Sequence, residues 1–158
     1  MKDFLLVAFL IIMFSSGCSK QETGCMPVKP EAEEPQIIAY ASAHGINVTR
    51  HSSGIYYEII NSGSGETPAK GSTITVGYVG KLLSDKIFDQ NTSYVRKLSD
   101  LNEGWQIGIP LIKKGGRIKL IIPSAYGYGC NPKKDGDDNV VIPGNSVLFF
   151  DVNLIDLK

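Results

Sequence analysis

The alternation of apolar and polar positions divides this chain into strands and helices before any motif is considered. In STITVGYVG, residues 72 to 80, Ile74, Val76 and Tyr78 share one face while Thr73, Thr75 and Gly77 share the other. The same period of two places Ile118, Leu120 and Ile122 together in GRIKLIIP. In SVLFFDVNLIDL it sets Leu148, Phe150, Val152 and Leu154 against Phe149, Asp151 and Asn153. Tyr78 and Phe150 therefore point to the core side. IYYEII, residues 55 to 60, predicts a further strand, and KIFD, 86 to 89, a shorter one. The period lengthens in GWQIGIPLIKKGG, where Trp105, Ile109 and Ile112 have helical spacing. Pro110 lacks an N–H there, so only a couple of turns are predicted before the exit at Gly115-Gly116. In QIIAYASAH, Ile37, Ile38 and Ala41 form one stripe of a helix that starts behind Pro35 and stops at Gly45, a residue suited to the left-handed position past a helix end. Antiparallel strands over a single short helix predict an α+β domain whose concave end collects the inward aromatic rings.

Ahead of these elements the pattern changes twice. Lys2 precedes an apolar run from Phe4 to Phe14, too short to span a bilayer as a helix but of the length of a secretory signal core. With Ser15-Ser16-Gly17-Cys18 behind it, the run resembles a bacterial lipoprotein signal, although Ser15 stands where leucine is commonest; an ordinary signal peptide cut nearby is the alternative. The resemblance implies cleavage before Cys18 and a diacylglyceryl group on its sulfur. Residues 19 to 35, rich in proline and glutamate, hold too little apolar surface to offset the entropy of ordering. The predicted organisation is a signal peptide over 1–17, a flexible tether over 18–35, a helix over 36–45 and one domain over 46–158.

Charge removes one class of partner. The 158 residues carry 16 basic and 16 acidic side chains, with no basic run, CxxC pair or histidine cluster, so nucleic acid is not expected to bind. His44 and His51 are expected at the surface, and nothing in the spacing favours a Ser-His-Asp triad.

IIPSAYGYGC, residues 121 to 130, sets Tyr126 and Tyr128 between Gly127 and Gly129, large rings on a permissive backbone. With this block, VGYVGKLLSDKIFD, EGWQIGIPLIKKGGRIKLIIP and VVIPGNSVLFFDVNLIDL complete an ordered set. From about Gly54 to Lys158 the chain resembles the FKBP-type peptidyl-prolyl cis-trans isomerases, whose fold is an antiparallel half-barrel around one short helix. The signal and the N-terminal helix also resemble membrane-anchored members of Gram-negative bacteria. The resemblance implies a proline pocket built by Tyr78, Phe88, Asp89, Trp105, Tyr128 and Phe150, with Tyr94, Leu101, Asn102, Val141 and Ile142 contacting substrate. Trp105 would be the floor, Phe88 and Phe150 the walls, and Val141-Ile142 an apolar lip. Tyr128 would offer its hydroxyl to a substrate carbonyl, and Tyr126 would serve packing.

Some features depart from that pattern. Asn102 stands where the family has an apolar residue three before the tryptophan, so its side chain is expected to turn outward or bond a polar neighbour while its backbone N–H remains available. The stretch Gln90–Leu98 reads as a loop shorter than in the best-known members, and Arg96 is out of place to pair with Asp89. CNPKKDGDDN, residues 130 to 139, is an insertion; its aspartates lack the glutamate of a calcium loop, so a solvated turn and no metal are expected. Whether Cys25 and Cys130 pair is open, since one lies in the tether and the other in the loop.

The function implied is isomerisation of X-Pro bonds in exported proteins, without a cofactor. The alternative is a tethered binding or chaperone module for proline-containing polypeptides with weak catalysis. A monomer is expected, held by lipid at the outer membrane facing the periplasm, with the cell surface as the other side; Ser19 resembles an export-permissive residue.

Overall fold

The computed structural model describes residues 24–158; the signal segment, Cys18 and the first part of the tether lie outside them. Six strands form one antiparallel sheet, in the order β1 (Thr49–Arg50), β2 (Tyr56–Asn61), β5 (Arg117–Ile122), β8 (Leu148–Leu157), β3 (Thr73–Leu82) and β4 (Ile87–Lys97). A two-stranded ribbon, β6 (Lys133–Lys134) with β7 (Val140–Ile142), rises from the insertion. Helix α2 (Glu103–Gly108) and the 3-10 turn Ile109–Leu111 lie against one face, as the interrupting Pro110 requires. The parity read from the chain holds: Ile74, Val76, Ile118, Leu120, Ile122, Leu148, Phe150, Val152 and Leu154 all enter the core under α2. Gly104 and Gly108 let the helix approach that closely, since a Cβ at either would lie within 2.4–2.6 Å of Ile122 or Leu120.

The other face of the sheet is covered as well, which the single-helix expectation missed. Helix α1 runs Pro30–Ala43, six residues earlier than expected, with Pro30 in its first turn and Pro35 inside it. Part of the predicted tether is therefore helix. Pro35 removes one helical N–H, but docking offsets that loss: Ile37, Tyr40 and Ala41 pack with Tyr56, Ile121 and Phe149 in a second core. Tyr40 is buried in place of Ile38, which is 44% exposed. Phe149, on the polar-facing parity of β8, is buried for the same reason. At the helix end Gly45 takes φ +60°, as expected. His44 bonds the Tyr40 carbonyl at 2.8 Å and Asp85 at 3.0 Å, and these partners hold its imidazole above the usual value.

The stretch expected as a short strand and loop is instead the eleven-residue β4, paired with β3 along its length. Most of its residues are exposed, so it buries little on its outer side and lacks the alternation that marks a half-buried strand.

Candidate active site

At one end of the core under α2, residues from four elements enclose a pocket of about 200 Å³. Strand β3 contributes Tyr78, β4 contributes Phe88, Asp89 and Tyr94, β8 contributes Phe150, and α2 contributes Trp105. Asp100, Leu101, Asn102 and Tyr128, from the segments between these elements, complete the lining. Three rings meet edge to face at its base: Trp105 with Tyr78 and with Phe150, each at 5.2 Å between centroids and 85–89° between planes. Phe88 stands on Phe150 at 5.5 Å and 87°. These angles are those that the quadrupoles of aromatic rings favour. Between the two phenylalanines lies Gly80, where a Cβ would meet both rings at 2.8 Å. Its place in the inward series after Ile74, Val76 and Tyr78 was visible in the sequence, and a gap for wall residues is what it signalled.

The polar groups are few and specific. The Tyr78 hydroxyl donates to Asp89 Oδ2 at 2.5 Å; burial, and then this carboxylate, push the phenol above its usual value. Arg96 does not reach Asp89, but donates through Nε to the Tyr94 hydroxyl at 3.0 Å. Burial also raises the Tyr128 phenol, while the Asn102 amide beside it pulls the other way. The indole N–H of Trp105 is enclosed and has no hydrogen-bond partner among the described residues.

The Asn102 side chain bonds a polar neighbour, as expected. Asn102 is the residue before α2, with φ −61° and ψ 159°, and its Oδ1 accepts the Trp105 N–H at 3.0 Å. This is an N-cap, and it orients the turn that carries the floor of the pocket. The residue type alone, an asparagine just ahead of a helix, was a sufficient signal. Replacing Asn102 by Ile is expected to cost about 1 kcal/mol through the lost cap, and replacing it by Ser or Asp only a few tenths. Urea denaturation of the three variants checks this; equal stability of all three would remove the cap from the account.

Other expectations are met unevenly. Tyr126 packs against the core and donates to the Ser53 carbonyl at 2.6 Å, away from the pocket lining. Val141 and Ile142 do not line the pocket: β7 turns Ile142 into the core, 4% exposed, and Val141 packs beside it. In the insertion Asp135 accepts the backbone N–H groups of Asp137 and Asn139, a charged turn as expected. A larger groove of about 730 Å³ lies on the opposite face of β3 and β8. It is open, and the Arg117–Asp151 ion pair at 2.7 Å stands on it. The smaller pocket is the candidate site because inward rings and the Tyr78–Asp89 hydroxyl–carboxylate pair converge there.

An antiparallel sheet packed on one short helix, with an aromatic pocket at the helix start, defines the FKBP class of domain. The chain belongs to the FKBP-type peptidyl-prolyl cis-trans isomerase family, whose sequence profile matches residues 64–155. FkpA of Escherichia coli K12 is 36% identical over 159 residues, 97% of this chain and 55% of that protein. A probable FKBP-type peptidyl-prolyl cis-trans isomerase of Haemophilus influenzae is 34% identical over 134 residues, 82% of this chain and 54% of its own length. The crystal structure of Escherichia coli FkpA superposes with a TM-score of 0.68 at 33% identity, covering 81% of this chain and 60% of that one. The chain spans about half the length of the curated relatives it matches.

Proposed function

We propose that this chain accelerates cis-trans isomerisation of X-Pro bonds in exported polypeptides, in the envelope of a bacterium. One observation carries the reading: Trp105, Tyr78, Phe150 and Phe88 form a mutually braced aromatic cup with the Tyr78–Asp89 pair at its side. Family membership supports the same chemistry.

No nucleophile is needed. Rotating an X-Pro bond costs the amide its resonance, at a barrier of about 18–20 kcal/mol, and the planar ground state carries more charge separation than the twisted one. Water therefore favours the ground state. In the proposed complex the prolyl ring sits on Trp105 between Phe88 and Phe150, which strips water from the amide. The Tyr128 hydroxyl and the Asn102 N–H, a donor that helix geometry leaves without an intrahelical acceptor, hold the flanking carbonyls. Tyr78 keeps the Asp89 carboxylate at the wall. A hundred-thousandfold acceleration asks for about 7 kcal/mol of binding that favours the twisted state over the planar one.

An isomer-specific protease assay on a short X-Pro peptide tests the activity, and quenching of Trp105, the sole tryptophan of the chain, tests binding. Acceleration together with quenching is expected. Quenching without acceleration would replace the enzyme by a binding module.

The anchor belongs to the same proposal. Lipid on Cys18 would hold the domain at the outer membrane, each buried methylene contributing about 0.8 kcal/mol. Cys18→Ser is expected to abolish labelling by a fatty acid and to leave a folded, active domain. A labelled mutant would end the lipoprotein reading.

A further inference from the structure

The chain ahead of α1 is fastened at several points to the segment that carries Tyr128. Cys25 and Cys130 form a disulfide, their Cα atoms 5.6 Å apart and 105 residues separated in sequence. Asn145 braces this junction: its N–H donates to the Gly129 carbonyl at 2.7 Å, and its Nδ2 to the Met26 carbonyl at 2.9 Å. At the other end, Glu33 of α1 is 2% exposed and accepts the Ser124 N–H at 2.8 Å. A buried carboxylate is costly unless bonded, so its place in the interface marks that N–H as a group worth holding. Ser124 and Cys130 bracket Tyr128 in sequence.

Tyr128 has reason to need such fastening. Gly127, at ψ −106°, and Gly129, at φ +53°, flank it, and glycine loses more backbone freedom on ordering than any other residue. Left to itself, a Gly-Tyr-Gly unit would hold its ring poorly. Lys133, whose Nζ lies 4.6 Å from the Tyr128 ring centroid, comes from the exposed ribbon and adds little restraint.

We propose that Cys25–Glu33 is a strap that positions Tyr128 for substrate, with the disulfide and Glu33 as its two fasteners. The proposal rests on the reading of the pocket as a prolyl site. It makes the pocket mouth sensitive to thiol reductants. A dithiol that opens the bond breaks one S–S and two of its own S–H bonds, gives Cys25 and Cys130 a hydrogen each, and is itself oxidised to a disulfide. The loop then keeps its hydrogen bonds to Glu33, Asn145 and Ser53 but loses its one covalent fastener.

The test uses the full chain, oxidised or treated with dithiothreitol, well below its melting temperature. Amide exchange of residues 126–129 is expected to speed up at least tenfold on reduction. KM for an X-Pro peptide should rise at least threefold with kcat changed by less than twofold, and reduction should leave KM unchanged in a Tyr128→Phe background. Glu33→Ala, oxidised, should raise KM similarly, and Glu33→Gln, which keeps an acceptor oxygen, should restore it. If reduction lowers the melting temperature but leaves both exchange and KM alone, the disulfide only stabilises and the strap is refuted. An oxidised chain with neither binding nor activity would sink the prolyl reading, and the exchange measurement would then decide the strap by itself.

Discussion

Phe150→Ala is expected to lower stability by about 3–5 kcal/mol and to remove most of the isomerase activity, whereas Tyr128→Phe should lower activity with stability changed by less than about 0.5 kcal/mol. The contrast follows from where the two rings stand. Phe150 is 3% exposed and in edge contact with Trp105, Tyr78 and Phe88. Truncating it deletes a wall and opens a cavity that the close-packed strands β3 and β5 on either side cannot collapse to fill. Tyr128 packs its ring partly against the core, and the substitution keeps that ring while deleting one hydroxyl. Urea denaturation together with the peptide assay separates the cases. An equal loss of stability in both variants would place the Tyr128 hydroxyl in the core and not in the pocket.

Loss of the Cys25–Cys130 bond through a double serine substitution is the other large effect. Chain entropy alone assigns a loop of about a hundred residues nearly 5 kcal/mol, and native bonds measured in small domains contribute about 2–5. With a urea dependence of about 1–3 kcal/mol per molar for a domain of this size, the midpoint should fall by about 1–2 M. Oxidised wild type and the double mutant unfolding at the same midpoint would show that the bond contributes nothing to stability. The position of the bond explains why the loss should be cooperative. Residues ahead of α1 are joined to the loop beside the pocket, so opening the bond weakens the hold on α1 and on the 124–130 segment together.

Much of this was legible in the chain because a strand buried on one face writes its burial into every second residue. The series through Tyr78, Leu120 and Phe150 needed no knowledge of the partner strands, since each inward position is apolar whichever strand lies beside it. The helix at Trp105 was equally plain, being bounded by Pro110 and the glycines that follow. The resemblance of the ordered aromatic blocks to the FKBP family implied the pocket residues, and the fold brings most of them to one cavity. Asn102 lines the pocket and also caps α2, a role that its residue type ahead of a helix signalled and that the family pattern did not.

What the chain alone did not decide has a common physical origin. Residues 24–35 lack the apolar content to order by themselves, and only contact with the far face of the sheet supplies the burial that makes Pro30–Ala43 a helix through Pro35. The polar parity of Phe149 and the buried charge of Glu33 make sense only with that helix in place. Cys25 and Cys130 are partners because docking of α1 sets their Cα atoms 5.6 Å apart, a distance that no count of intervening residues predicts. Local periodicity thus determined the strands, the short helix and the rings they turn inward. The reach of the N-terminal segment across the sheet to the loop beside Tyr128 was decided by tertiary packing, because its stabilising contacts join residues about a hundred positions apart and leave no period in the sequence between them.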